Sequence, residues 1–228
     1  MITVDLAAET VRDINQRLHD LPADTNERAW RIVNPKGAHA LAAGLDGPVE
    51  VLIEGHVGYY CAGMNKQASV TIDGHCGVGV AENIMSGEVR VKGNASQSAG
   101  ASGQGGLLVI EGDASARCGI SMKGIDIVVH GNIGHMSAFM AQSGNLVVLG
   151  DAGDALGDSI YEARLFVRGK VESLGADCIA KEMRPEHIEL LQGLLDRAGV
   201  TGVKASEFKR YGSARTLYNF NIDNADAY

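Results

Sequence analysis

The sequence is poor in the features that mark membrane, secreted and nucleic-acid-binding proteins. Only 5% of its 228 residues are aromatic, it contains four prolines, and no apolar run approaches the roughly 18 residues of a membrane span. The first residues, Met1 to Asp5, contain neither the charged nor the apolar segment of a secretory leader. A net charge of -8 disfavours binding to a phosphate backbone. We therefore expect a cytoplasmic protein that binds neither nucleic acid nor membrane.

Sequence motifs for metal binding and catalysis are also missing. The four cysteines form no C-x-x-C pair, and free cysteine is often buried, so we predict reduced, buried thiols at Cys61, Cys76, Cys118 and Cys178. The chain contains no Gly-x-Ser-x-Gly, no phosphate-binding Gly-x-x-x-x-Gly-Lys-Ser/Thr and no His-Glu-x-x-His. The prediction is that this chain has no catalytic, no cofactor-binding and no metal-binding residues.

What the chain has in quantity is glycine, and seven of its 30 glycines recur at a fixed interval. Steps of 19 residues separate Gly55, Gly74, Gly93, Gly112, Gly131, Gly150 and Gly169. The five residues before each one read as a strand, with aliphatic residues two and four places before the glycine. A strict period of this length means one unit stacked on itself, since a single unit cannot bury its apolar face. The sequence predicts a mainly β fold, a parallel β-helix of about seven 19-residue turns over residues 35–182. The general preference of parallel crossovers makes it right-handed.

A column of small residues supports this interpretation. The position seven residues after each glycine holds only alanine or glycine, at Ala62, Ala81, Gly100, Gly119, Ala138, Gly157 and Ala176. Small residues at a fixed corner let successive turns stack at ~4.7–4.9 Å. Ala43 is expected to continue this column one turn earlier. Glu172, which interrupts a second small column, indicates that the coil is ending there.

Both ends of the chain read as caps, which a stack of this kind needs. In residues 1–34 a helical cap is predicted, with Asp5 as its N-cap and one apolar face made of Leu6, Val11, Ile14, Leu18 and Leu21. Residues 183–228 are predicted to form a C-terminal helix followed by an aromatic docking tail. Pro185 opens that helix and Gly199 closes it, while the tail runs from Phe208 to Tyr228.

Two further columns allow a structural and a functional interpretation each. Directly after the glycines stand His56, His75, Asn94, Asp113, Asn132, Asp151 and Lys170. These are either turn residues that bond the local backbone or, at the two histidines, metal ligands. Three places before the last four glycines stand Val109, Val128, Val147 and Phe166, facing away from the core. This apolar stripe should be covered, either by the terminal helix or tail of the chain itself or by a partner subunit.

The repeat resembles that of a known enzyme family. The pattern Gly-x-x-Gly-x-x-x-Gly at Gly150-Gly153-Gly157 and the segments 34–39 and 74–87 resemble the C-terminal β-helix domain of glutamate synthase, over roughly residues 5–180. The C-terminal segments 209–215 and 221–224 resemble the separate β-helix subunit of N-methylglutamate synthase. The resemblance implies a non-catalytic structural subunit of a flavin-dependent complex that converts methylamine and glutamate to N-methylglutamate and ammonia.

The same resemblance implies the partners, and it leaves alternatives open. The partners would be an amidotransferase-like subunit and a flavin/iron–sulfur synthase-like subunit, with FMN and iron–sulfur clusters on the latter and no cofactor on this chain. One alternative is a subunit of another glutamate-synthase-like or formylmethanofuran-dehydrogenase-like complex. Another is a self-sufficient β-helix enzyme or binding module, for which Glu82 and Asp154 are candidate carboxylates.

Overall fold

The computed structural model describes residues 1–22 and 24–217 of the chain. The described residues form one sheet of eleven strands, two α-helices and a short 3-10 helix at Ala205–Glu207. The helices are α1 (Val11–His19) and α2 (Pro185–Ala198). The strands are β1 (Ile2–Asp5), β2 (Ala29–Val33), β3 (Glu50–Glu54), β4 (Ser69–Asp73), β5 (Glu88–Val91), β6 (Leu107–Ile110), β7 (Lys123–Val129), β8 (Ser143–Val148), β9 (Arg164–Val167), β10 (Cys178–Lys181) and β11 (Lys209–Ser213).

Strands β1 to β9 pair in chain order, and every pairing is parallel. From β3 to β9 the paired residues are 19 positions apart, as in Val51 with Val70 and Leu146 with Leu165, except that Lys123 at the start of β7 pairs with Ser143, 20 positions on. A second column of parallel bridges, beginning with Val57 and Cys76, repeats just after the glycines. The glycine period is therefore one turn of a parallel β-helix of about seven turns, as the sequence predicted. Its right-handed coiling stays a prediction.

The return arc of each turn is built from left-handed backbone. In the turn after Gly74 the φ angles of Gly79, Ala81 and Asn83 are +71°, +55° and +56°. Their N–H groups donate alternately to the next and the preceding turn, and each N to O distance is 2.9 Å. Ala81, the middle residue, is fully buried. The column is small because these positions point into the packed interior, where the arc leaves no space for a longer side chain, whereas exposed arc positions at positive φ hold residues as large as Met64.

The N-terminal end differs from the predicted helical cap, because the sheet extends into residues 1–34. Ile2 and Val4 pair in register with Trp30 and Ile32, which adds β1 and β2 ahead of the expected start of the coil. Trp30 and Ile32 are buried in the same core as the later strands. Alternating apolar residues in each of these short segments give a strand with one buried face.

Helix α1 begins later than predicted, and its N-cap is Thr10 rather than Asp5. The Thr10 hydroxyl oxygen accepts the backbone N–H of Asp13 at 3.2 Å, the usual N-cap bond. Asp5 instead ends β1, and its carboxylate accepts the backbone N–H of Ala7 at 2.8 Å. The helix still buries Ile14 and Leu18 against the core.

The first turn is longer than the others, and this shifts the small column. Trp30 pairs with Val51, a step of 21 residues. As a result Ala42, with φ of +53° and no exposed surface, takes the position that the sequence assigned to Ala43. The strict period starts only at β3, so extrapolating it backwards misplaces the column by one residue.

The C-terminal end contains the predicted helix and an antiparallel closure that the sequence did not indicate. Helix α2 begins at Pro185 and ends at Gly199, whose φ is +76°. Strand β11 then pairs antiparallel with both β9 and β10 and ends the parallel stack. Ala176 lies outside the small column, because it is exposed and the left-handed residue is Asp177, with φ of +64°.

The first part of the predicted docking tail packs on the chain itself. Phe208 lies in the cluster around α2, and Tyr211 in β11 lies in the main core. Its other aromatic residues, Tyr218, Phe220 and Tyr228, lie outside the described residues. Neither helix in the described part of the chain has the length and apolar character that crossing a bilayer requires.

Candidate functional surfaces

The apolar stripe on the outer face of the sheet is covered by α2. Val109, Val128, Val147 and Phe166 have no exposed surface, and they form one cluster with α2 residues such as Leu191, Leu194 and Leu195. Of the two coverings that the sequence left open, the structure shows the chain's own terminal helix. The stripe is therefore not a surface on which a partner subunit docks.

The polar column is a ladder of hydrogen bonds between successive turns. Each member accepts the backbone N–H of the next member, 19 residues on. Nδ1 of His56 accepts from His75 at 3.0 Å, and Nδ1 of His75 accepts from Asn94 at 2.8 Å. The series continues through the side-chain oxygens of Asn94, Asp113, Asn132 and Asp151, with N to O distances of 2.7 to 2.9 Å, and ends at Lys170.

The ladder also explains the glycine that precedes each of its members. A Cβ atom on Gly150 would lie 2.5 Å from Oδ1 of Asn132 and 2.6 Å from the carbonyl oxygen of Gly131. A side chain there would displace the acceptor that the next N–H needs. The glycine column and the polar column thus act together to hold successive turns in register.

The same bonds argue against a metal site at the two histidines. The rings of His56 and His75 stack with centroids 4.8 Å apart and planes 16° from parallel. Because each Nδ1 accepts a backbone N–H, each neutral ring carries its proton on Nε2. Neither ring then offers a free lone pair to a metal. In the described part of the chain, no three histidine, cysteine or carboxylate side chains gather into a metal-binding group.

The four cysteines are core residues, as predicted. All are buried and unpaired. Burial raises the pKa of Cys76 and of Cys118 to about 12. Burial likewise raises the pKa of Cys61, and it raises that of Cys178 to about 12. A thiol that stays protonated at neutral pH is a poor nucleophile, so these residues are not candidates for covalent catalysis.

The two candidate carboxylates are far apart. Glu82 follows Gly74, whereas Asp154 follows Gly150, four turns later. At ~4.8 Å per turn the two lie about 19 Å apart along the axis, well beyond the roughly 5–9.5 Å at which paired carboxylates act on a glycosidic bond. Asp154 accepts the hydroxyl of Ser173 at 2.9 Å. The structure does not bring them together into one site.

Exposed apolar side chains remain on the return arcs. Tyr59 and Val78 occupy the same position on successive turns and are 54% and 48% exposed. Met64 and Met85 lie on the arcs of the same two turns, and both are exposed. We call Tyr59, Met64, Val78 and Met85 the arc patch. None of these residues belongs to the cluster that α2 covers.

These features define a parallel β-helix of the glycine-repeat type, with an N-terminal helix on its core and an antiparallel closure at its other end. No family model matches the chain. It is 66% identical over 228 residues to Protein GlxC of Rhizobium meliloti (strain 1021), and the match covers 100% of both proteins. The chain therefore belongs to the family of Protein GlxC. That membership is consistent with a glutamate-synthase-like subunit, the class that the glycine repeat resembles.

Proposed function

We propose that this chain is a non-catalytic structural subunit of a flavin-dependent glutamate-synthase-like complex, with N-methylglutamate synthase as the first candidate. The hydrogen-bonded ladder carries the proposal. The histidine, asparagine and aspartate side chains that repeat along the coil serve the backbone, and the thiols serve the core. Apart from these structural residues, the regular coil offers the exposed arc patch. That combination suits a scaffold better than an enzyme.

In this proposal the chemistry belongs to two partner chains in the cytoplasm. An amidotransferase-like subunit and a flavin/iron–sulfur subunit would convert methylamine and glutamate to N-methylglutamate and ammonia. FMN and the iron–sulfur clusters would be held by the second partner. The β-helix would hold the two active sites at a fixed separation.

The proposal is tested by tagging this chain in its native host and identifying the proteins that purify with it. We expect an amidotransferase-like chain and a flavin/iron–sulfur chain in constant ratio to the tagged one. Recovery of the tagged chain alone, monodisperse and soluble, would overturn the scaffold proposal. The reaction of the recovered complex with methylamine and glutamate then decides between N-methylglutamate synthase and another complex of this class.

The arc patch gives a sharper test of how the partners bind. The double variant Tyr59→Ser and Val78→Ser removes its two most exposed members, so we expect the partners to be lost while the melting temperature is unchanged. Ile188→Ser is the matched control, because Ile188 is exposed on α2 and lies outside the patch. If the double variant and the control retain the partners equally, the arc patch is not the docking surface.

A further inference from the structure

Positive charges are concentrated at the C-terminal end of the sheet, although the whole chain carries a net charge of -8. Arg164, Lys181, Arg210 and Arg215 line one shallow cleft, and Arg184 at the start of α2 adds a fifth cation nearby. Lys181 and Arg210 are direct cross-strand partners in β10 and β11. Like charges opposite each other on neighbouring strands are destabilising, so this arrangement needs a compensating contact.

The described part of the chain supplies that compensation only in part, through the charges of Glu182 and Glu186 near Arg210. In residues 1–22 and 24–217, Arg164, Lys181 and Arg210 form no ion pair. The Lys181 ammonium donates to the carbonyl oxygen of Ser213, and Nε of Arg210 donates to that of Glu182, both at 3.0 Å. Nε of Arg164 is buried and has no hydrogen-bond partner. A buried donor without an acceptor is costly, and a carboxylate oxygen would satisfy it.

The nearest carboxylates are engaged elsewhere or do not reach the cations. Asp177 accepts the Ser213 hydroxyl at 2.5 Å and the Thr216 backbone N–H at 2.9 Å. Glu186 pairs with Arg184 at 3.5 Å. Glu162 lines the cleft without forming an ion pair in the described chain. Burial lowers the pKa of Lys181, and the neighbouring guanidinium groups lower it further.

The size of the cleft indicates what it can hold. The cavity volume inside it is about 10 Å³, room for one water-sized group such as a single oxygen atom, and Gly212 is part of its lining. Pockets that enclose a whole small molecule measure roughly 300–1,000 Å³. The cleft therefore suits one end of a molecule whose remainder lies outside.

We propose that this cleft binds a carboxylate group, with Arg164 and Lys181 as its anchors. The carboxylate comes either from a small dicarboxylate or from an acidic side chain of another polypeptide. A guanidinium presents its donors as a planar fork that matches the two oxygens of a carboxylate. This inference goes beyond the structural role proposed above and does not depend on it.

The test compares the melting temperature of the full chain in sodium glutarate and in sodium chloride at equal ionic strength. At ten times the Kd we expect glutarate to raise it by about 3–6 °C more than chloride does. Arg164→Gln and Lys181→Gln should lose this response, and each should melt higher than wild type in chloride because repulsion is relieved. Lys209→Gln is the matched control, since Lys209 is exposed beside Arg210 in β11, and it should keep the response.

A second variant blocks the cleft without changing any charge. A Cβ atom on Gly212 would lie 3.6 Å from Cγ of Lys181 and 3.7 Å from the carbonyl oxygen of Ala163, both ordinary contacts. Gly212→Ala should therefore fold, melt like wild type in chloride and lose the glutarate response, because one methyl group fills the small cleft. If glutarate and chloride act alike on wild type, or if the three cleft variants keep the response, the proposal is wrong.

A hexaglutamate peptide distinguishes the two sources of the carboxylate. A peptide response at a concentration at least tenfold lower than glutarate requires, absent in Lys181→Gln, identifies an acidic polypeptide as the ligand. Equal responses per carboxylate identify a small dicarboxylate. A peptide response that persists in Lys181→Gln and Arg164→Gln places the binding elsewhere and overturns the proposal.

Discussion

The two halves of the outer sheet face share one core but have different coverings. In strands β2 to β5 the central outward residues are Arg31, Leu52, Thr71 and Arg90, whereas in β6 to β9 they are Val109, Val128, Val147 and Phe166. The first half is held by surface ion pairs such as Arg31 with Glu54 at 2.7 Å. The second half lies beneath α2. The central outward residues are thus fully buried in β6 to β9 and only partly buried in β2 to β5.

The boundary between the halves falls at Arg90. Its Nη1 donates to the carbonyl oxygen of Ala198, the last residue of α2, at 3.0 Å, and its Nη2 pairs with Glu88. A guanidinium at a helix C-terminus satisfies a free carbonyl and is attracted by the negative end of the helix dipole. Arg90 thus marks where the helix stops along the stack.

The largest effect that separates the halves should come from Val128→Glu. Val128 has no exposed surface, so its replacement buries a carboxylate without a partner, and we expect a loss of more than about 4 kcal/mol in the free energy of unfolding. Thr71 occupies the equivalent position in the open half and faces Arg90 on the next strand. Thr71→Glu should therefore change the free energy of unfolding by no more than about 0.5 kcal/mol. Urea unfolding of both variants measures the contrast. Equal losses would mean that α2 does not distinguish the two halves.

The next effect should be the same in both halves, because the return arcs are alike. Ala81 and Ala138 are both fully buried at positive φ. Replacing either by leucine overpacks the arc and strains the backbone, so we expect a loss of about 1–3 kcal/mol or more in each case. Thermal unfolding of the two single variants gives the comparison. A loss at one site only would show that the arcs are not equivalent.

Each hydrogen bond of the ladder should contribute less to the free energy of unfolding than the packing of the arcs does. Asn132→Ala leaves the N–H of Asp151 without its acceptor, and we expect a loss of about 0.5–1.5 kcal/mol. Lys170→Ala is the matched control, because Lys170 ends the ladder and accepts from no later member in the described chain. Chemical denaturation of both variants checks the difference. If the two substitutions have the same effect, the ladder bond does not stabilise the fold.

The smallest effect should be a pH dependence confined to the covered half. Burial, and then the positive charge of Arg210, lowers the pKa of His187 at the start of α2. As the pH falls through about 6.5, the unfolded chain binds a proton first, so the free energy of unfolding falls until the pH passes below the folded-state pKa. Urea unfolding at pH 7.5 and pH 5.5 measures this slope, which should be flatter in His187→Gln. Parallel slopes would show that His187 does not contribute.

The sequence predicted those parts of the fold that repeat. A period of 19 residues determined the strands, the core columns and the small arc residues, because each position recurs often enough to reveal its environment. The parts of the fold that occur only once were not predicted. Strand β1 is four residues long, and the 21-residue first turn breaks the period. The antiparallel pairing of β11 depends on contacts between segments about 40 residues apart, which local patterns do not encode.

The candidate sites likewise divide into one that repeats along the sequence and one that does not. The polar column was visible in the sequence, but its bonds join backbone and side chain across 19 residues and become visible only in three dimensions. The cationic cleft gave no signal, because Arg164, Lys181 and Arg210 belong to three separate strands with no common spacing. An excess of acidic residues elsewhere in the chain concealed it further.

The ladder of glycine and side-chain acceptor has a consequence for how the length of this protein can change. Each turn from His56 to Lys170 is joined to the next by the same bond, so this part of the coil keeps its ladder when it gains or loses whole units of 19 residues. One such unit moves whatever binds at one end by ~4.8 Å relative to the other end. A whole unit preserves the acceptor series, whereas a turn of another length, such as the 21-residue step from Trp30 to Val51, shifts the columns. The length of the ladder-bearing coil can therefore be set in equal steps of one turn.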